Sequence, residues 1–249
     1  MQHPVLAANW KMNHGPTEAR EFMRSYLAKS PRRNDRTVIF FPSALAFAAV
    51  ADACRDRSDL LLGVQNIHWE DKGAFTGECS AAMARDAGAR LVLVGHSERR
   101  HVFGETDWMQ AKKVGAALRA GLVPVLCVGE LLPQREAGQA EAVVLEQLRI
   151  ALEGLDAAQV QTLLIAYEPV WAIGTGKTAT PVDAATMHAV IRERLRQQLG
   201  ERAKAVPILY GGSVSKGNAA SLLAEENVDG LLVGGASLDA DGWSSIVAS

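Results

Sequence analysis

The chain has 249 residues, 48% of them hydrophobic and 22% charged, with 26 Lys+Arg against 28 Asp+Glu for a formal net charge of −2. That composition excludes a disordered chain, and the near-balance of charge excludes the broad cationic field of a dedicated nucleic-acid binder. An anionic ligand must therefore be held by local groups. Cys54, Cys79 and Cys127 lie far apart, so they build neither a disulfide framework nor a CxxC metal site, and a reduced, cytoplasmic setting is expected. The opening Met-Gln-His-Pro has no signal-peptide pattern. No window of about 18 apolar residues is present to span a membrane.

In chain order, the apolar run Val5–Ala8 is followed by Asn9 and Lys11, then by helical spacing over Thr17–Leu27. Val38–Phe41 leads to a predicted helix over Ala44–Cys54, and Leu60–Val64 ends at Gln65-Asn66. Leu91–Val94 passes through Gly95 to His96, with a helix predicted over Met109–Leu118. Leu122–Val128 precedes a helix over Ala142–Leu152, and Leu163–Tyr167 runs into Glu168-Pro169. Thr180-Pro181 reads as a helix entry with proline at the first helical position. In Thr186–Leu199 the apolar residues Met187, Val190, Ile191, Leu195 and Leu199 define one face, and Arg192, Glu193, Arg194, Arg196 and Gln197 fill the other. Val206–Tyr210 is followed by Gly211-Gly212-Ser213 and a helix over Asn218–Leu223, and Leu231–Val233 by Gly234-Gly235.

The short Val/Ile/Leu runs suit strands buried on both faces, and their spacing is about one strand–helix unit. Eight such units predict an α/β chain folded as one (β/α)8 barrel domain over residues 1–249, with an open doubly wound sheet as the competing architecture. In a parallel barrel the polar residues just past the strands share one rim. A carboxylate (Glu168), an imidazole (His96) and an ammonium (Lys11), without a metal-ligand cluster or cofactor motif, suit proton transfer beside a carbonyl. The glycines after the seventh and eighth runs expose backbone N–H groups fit for a phosphate. The residues thus point to an isomerase-type enzyme for a small phosphorylated carbonyl compound. Other phosphate-gripping barrel enzymes, such as a pentose phosphate epimerase or an indole-forming lyase, and a catalytically dead barrel kept for binding are the alternatives.

Two nucleotide motifs are imitated between Gly174 and Ala179. The P-loop reading fails because Trp171 stands where its first glycine is required, and the dinucleotide reading fails because Glu168 to Ile173 separate strand from glycine. A mobile lid is the better reading of this segment. Arg32 to Arg36 read as a solvated loop, and Arg99-Arg100 as ion-pair partners of Glu98 or Glu105.

Five motifs carry a family resemblance: Ala8-Asn-Trp-Lys-Met-Asn13, Gly95-His-Ser-Glu-Arg99, Ala166-Tyr-Glu-Pro-Val-Trp-Ala-Ile-Gly-Thr-Gly176, Tyr210-Gly-Gly-Ser-Val214 and Leu232-Val-Gly-Gly-Ala236. Together the chain resembles the triosephosphate isomerases, from residue 5 to about 247. The resemblance implies a TIM barrel that interconverts dihydroxyacetone phosphate and D-glyceraldehyde 3-phosphate through an enediolate, without cofactor or metal, in glycolysis and gluconeogenesis. It makes Glu168 the base, His96 the electrophile and Lys11 the cation, with Asn9 beside it. Phosphate contacts fall to Gly174, Ser213, Gly234 and Gly235. It also implies a cytoplasmic homodimer joined through the loop around Phe75, Thr76 and Gly77, with no nucleic-acid or membrane partner. Cys79 and Ala81 depart from the isoleucine and proline expected after that loop.

Overall fold

The computed structural model describes residues 1–173 and 179–249. Its strands are β1 (Val5–Asn9), β2 (Thr37–Phe41), β3 (Leu60–Val64), β4 (Leu91–Val94), β5 (Val123–Val128), β6 (Leu164–Tyr167), β7 (Ile208–Tyr210) and β8 (Gly230–Val233). Each pairs in parallel with the next, and β1 pairs with β8 from Val5↔Gly230 to Ala8↔Val233, which closes the barrel. That seam excludes the open sheet. It is also tight, since a Cβ on Gly230 would lie 1.9 Å from the Val5 carbonyl oxygen.

Because strand side chains alternate with period two, each strand serves two cores. Val5, Ala7, Leu91, Leu93, Val125, Cys127, Leu164 and Ala166 pack together inside the barrel. Their neighbours Leu6, Ala8, Val92, Val94, Leu126, Val128, Ile165 and Tyr167 join the outer apolar cluster under the helices. Both sets are buried, which is why the runs read as continuous apolar stretches.

Six predicted helices appear at Pro16–Lys29, Phe47–Ala53, Asp107–Arg119, Ala140–Leu152, Pro181–Leu199 and Ala219–Leu223. Thr180 caps Pro181–Leu199 by accepting the Asp183 N–H, with proline in the first turn. The structure adds Ala81–Asp86, Ser97–His101, Leu132–Glu136, Ala157–Gln161 and Ala240–Ala248. Four of these span one or two turns, too few to show a helical period. Ala81–Asp86 starts cleanly despite Cys79 and Ala81, because Ser80 Oγ accepts the Met83 N–H.

Two expectations of solvated charge are corrected. Arg192 is buried, with Nη1 donating to the carbonyls of Ala203 and Val206 and Nη2 paired with Asp229. It lies one turn after His188 and reaches the segments leading into β7 and β8, a side the apolar count assigned to solvent. Arg36 turns back to donate to the carbonyls of Val247 and Ser249, tying down the C-terminal helix.

His188 is fully buried, with Nδ1 2.8 Å from the Asn227 carbonyl oxygen. Burial pushes its imidazole down from 6.5 to about 4, against a smaller upward pull from that hydrogen bond. Below pH 6.5 the unfolded chain binds a proton there that the folded chain refuses until about pH 4. This contribution is complete above 6.5 and is lost as pH falls toward 4, on the order of 3 kcal/mol in all. Denaturant melts from pH 7 to 4.5 should show that loss, and His188→Gln should flatten it; an unchanged slope in the variant would assign it to other groups.

Candidate active site

The alternation that fills the barrel also aims its mouth. Glu168 continues the inward series Leu164, Ala166, and Asn9 continues Val5, Ala7. Gly211 follows Leu209, and Gly234 follows Leu232, in the same parity. Asn9, Lys11, His96, Glu168, Ser213, Gly234 and Gly235 line one cavity of about 340 Å³. Gly174 lies outside the described residues, as does most of the Gly-rich tip of the expected lid. Two larger grooves, about 660 and 790 Å³, lie among the outer helices and hold none of these groups.

At the centre, His96 Nε2 stands 3.0 Å from Glu168 Oε1, and both side chains are buried. The other carboxylate oxygen accepts the Ser97 N–H at 2.8 Å. His96 is the N-cap of Ser97–His101, and its Nδ1 accepts the Glu98 N–H. With Nδ1 accepting that N–H, Nε2 is the ring nitrogen left to donate to Glu168. The first two amides of this short helix, unpaired within it, are thus spent on the imidazole and the carboxylate.

Lys11 Nζ pairs with Glu98 at 2.8 Å. Its backbone sits at φ 51°, a left-handed conformation that costs a non-glycine residue about 1 kcal/mol or more. Local bonds hold it there: the Lys11 N–H donates to Asn9 Oδ1 at 3.0 Å, and Gln65 Nε2 donates to the carbonyls of Lys11 and Phe41. Beside it Asn66 accepts from Lys113, which also pairs with Glu105. Burial works against the Glu105 carboxylate, but bonds from Lys113 and Arg99 outweigh it and hold Glu105 below its usual range. Arg99 therefore has its expected partner. Arg100 does not: it pairs with Asp107 and with the carbonyls of Gly95 and Cys127, at the ends of β4 and β5.

Several contributors escaped the sequence reading. Ser97 acts through a backbone N–H, which no residue type announces. Glu130, fully buried, gathers donors from Tyr167 Oη, Trp171 Nε1 and Arg135 on one oxygen. Cys127, also buried, is driven well above a normal thiol by burial and then by Glu168, so it stays protonated and is no nucleophile.

The chain matches the family model described as triosephosphate isomerase over residues 4–249. The chain belongs to the triosephosphate isomerase family. A triosephosphate isomerase of Moorella thermoacetica is 49% identical over 247 residues, covering 99% of this chain and 98% of that protein. One of Chloroflexus aurantiacus is 50% identical over 248 residues, covering 99% of each. The crystal structure of triosephosphate isomerase from Bartonella henselae superposes with a TM-score of 0.87 at 39% identity, covering 98% of each chain. As a triosephosphate isomerase family member, the chain is an isomerase.

The family's mouth is close-packed here. A Cβ on Gly211 would fall 2.9 Å from Glu168 Cγ, and Glu168 is pinned by Ser97 and His96. Gly211→Ala should therefore displace the carboxylate and lower turnover on the order of 10-fold or more while the barrel still folds. Steady-state kinetics with a thermal melt will check this; a normal rate would show that the carboxylate has slack.

Proposed function

We infer that the chain interconverts dihydroxyacetone phosphate and D-glyceraldehyde 3-phosphate through an enediolate, in glycolysis and gluconeogenesis. The observation that carries the residue roles is the 3.0 Å contact of His96 Nε2 with Glu168 Oε1 in a cavity shared with Lys11. Imidazole and carboxylate are paired with each other. A three-carbon ketone inserted between them frees the Nε2–H for its carbonyl oxygen and the carboxylate for the adjacent carbon.

Glu168 then takes a proton from that carbon. The C–H electron pair becomes the new C=C bond, and the carbonyl π pair moves to oxygen, where His96 and Lys11 stabilise the charge. His96 shifts a proton between the two oxygens, and Glu168 returns its proton to the neighbouring carbon. Asn9 braces Lys11 through the Lys11 N–H. Backbone groups of Ser213, Gly234 and Gly235 hold the phosphate. Space is open where a Cβ of Gly235 would stand. Gly174 is assigned to the same grip on the family resemblance alone.

The reading extends to one domain over residues 1–249, a cytoplasmic location and a homodimer. Residues 70–79 are all exposed, and Phe75 leaves 41% of its surface uncovered, which suits a loop that docks. Thr76 of one copy would enter a recess of about 190 Å³ beside Asn9 and Lys11 of the other. Phe75 and Gly77 would flank it. Among the described residues, no helix is long and apolar enough to cross a membrane.

Glu168→Asp retracts the carboxylate by about 1 Å and should cost about 10²-fold in turnover. His96→Gln should cost about 10²-fold through loss of the electrophile. Both are read by coupling dihydroxyacetone phosphate conversion to detection of the aldehyde, with exchange of carbon-bound hydrogen in D₂O as a second signal. A near-normal rate in either variant removes that residue from its role.

A further inference from the structure

The β4–β5 ladder ends at Val94↔Leu126. One step beyond, the seam presents the carbonyls of Gly95 and Cys127, and two acceptors cannot bond each other. Arg100 serves both: Nε donates to Gly95 O at 2.7 Å and Nη2 to Cys127 O at 3.1 Å. Its third arm, Nη1, is held by Asp107 in the first turn of Asp107–Arg119. The side chain is 7% exposed.

Gly95 sits at φ 75°, and a Cβ there would meet Arg100 Nη2 at 2.7 Å and Cys127 O at 3.0 Å. The peptide leading into His96 is thus fixed in a left-handed turn by a guanidinium packed against it. Arg100 also lies in the short helix that His96 caps, and its own N–H donates to the His96 carbonyl at 3.1 Å. Side chain and backbone of one residue therefore grip His96 from both sides of its Cα.

We propose that Arg100 is a positioning residue for His96, locking the Gly95 peptide to the end of β5 and so fixing where the imidazole points. This rests on the role given to His96 above. Arg100 is not among the residues lining the substrate cavity, so it acts through His96 and not on the ligand. The task needs arginine. A planar fork reaches two carbonyls and a carboxylate at set angles, whereas a lysine ammonium cannot reproduce that fork. A purely structural tie between β4 and β5 would instead affect stability without singling out the step that needs His96.

The test is a cycle of Arg100→Lys, His96→Gln and the double variant, each with kcat, KM and a thermal midpoint. Arg100→Lys should lower kcat about 10-fold with KM within about 2-fold, because the imidazole is misplaced but substrate binding is kept. In the His96→Gln background the same substitution should change kcat by less than about 2-fold, since there is no imidazole left to aim. Asp107→Asn, which loosens the guanidinium without removing it, should repeat the pattern at smaller amplitude, and it reads the same cycle if Arg100→Lys does not fold. A normal kcat in both variants overturns the proposal, as does an equal loss with and without His96. If His96→Gln alone turns over normally, the role of His96 falls and this proposal with it, an outcome visible in the single variant.

Discussion

Side chains alternate along a strand, and in a closed parallel barrel every strand ends at the same rim. A residue of inward parity just past the last apolar one therefore has only the mouth to occupy. Asn9 and Glu168 are placed this way, as continuations of Val5-Ala7 and Leu164-Ala166. The mouth is small, so filling it at some strands requires emptying it at others. Glycine stands at 211 and 234, where a Cβ would press on Glu168 Cγ at 2.9 Å and on Lys11 Cε at 3.2 Å. Polar residues and glycines are two sides of one packing condition.

Aiming these groups uses backbone that has no other duty. Ser97–His101 is too short to persist alone. Its surroundings hold it, through Arg99 on Glu105 and Arg100 on Asp107. Once fixed, its first amides point at Glu168 Oε2 and His96 Nδ1. The strained Lys11 backbone is held similarly, by Asn9 and Gln65. Strain and buried charge at the rim are offset by the continuous apolar shell between strands and helices.

The strands were legible because burial on both faces leaves no polar interruption, and the observed limits differ from the apolar runs by two residues at most, as at Ile208 against Val206. There Pro207 has no N–H, and a turn through Gly200–Ala205 precedes it. Lys11, His96 and Glu168 stood out as ionisable residues directly after apolar runs. Arg192 and Arg36 did not, since a cation in a helix or loop looks solvated until elements distant in sequence supply its acceptors. Ser97 was illegible for another reason: its contribution is an amide shared by nearly every residue type. Glu130 needed Tyr167, Trp171 and Arg135 to be brought around it.

Charge explains why the proposed phosphate grip lies on the far strands. Lys11 and Glu168 already cancel across the cavity, Lys11 is further engaged by Glu98, and the chain carries a formal net charge of −2. The overall charge thus offers a phosphorylated triose no net attraction, and local groups must supply it. A further lysine beside Glu168 would attract the dianion, but it would also pair with the carboxylate proposed to take the proton. Backbone N–H dipoles attract phosphate without forming an ion pair with the base. The proposed grip at Ser213, Gly234 and Gly235, after β7 and β8, would leave the ionisable groups after β1, β4 and β6 to the reacting carbons. On the proposed roles, anion recognition and proton transfer would share one cavity of about 340 Å³ without neutralising each other.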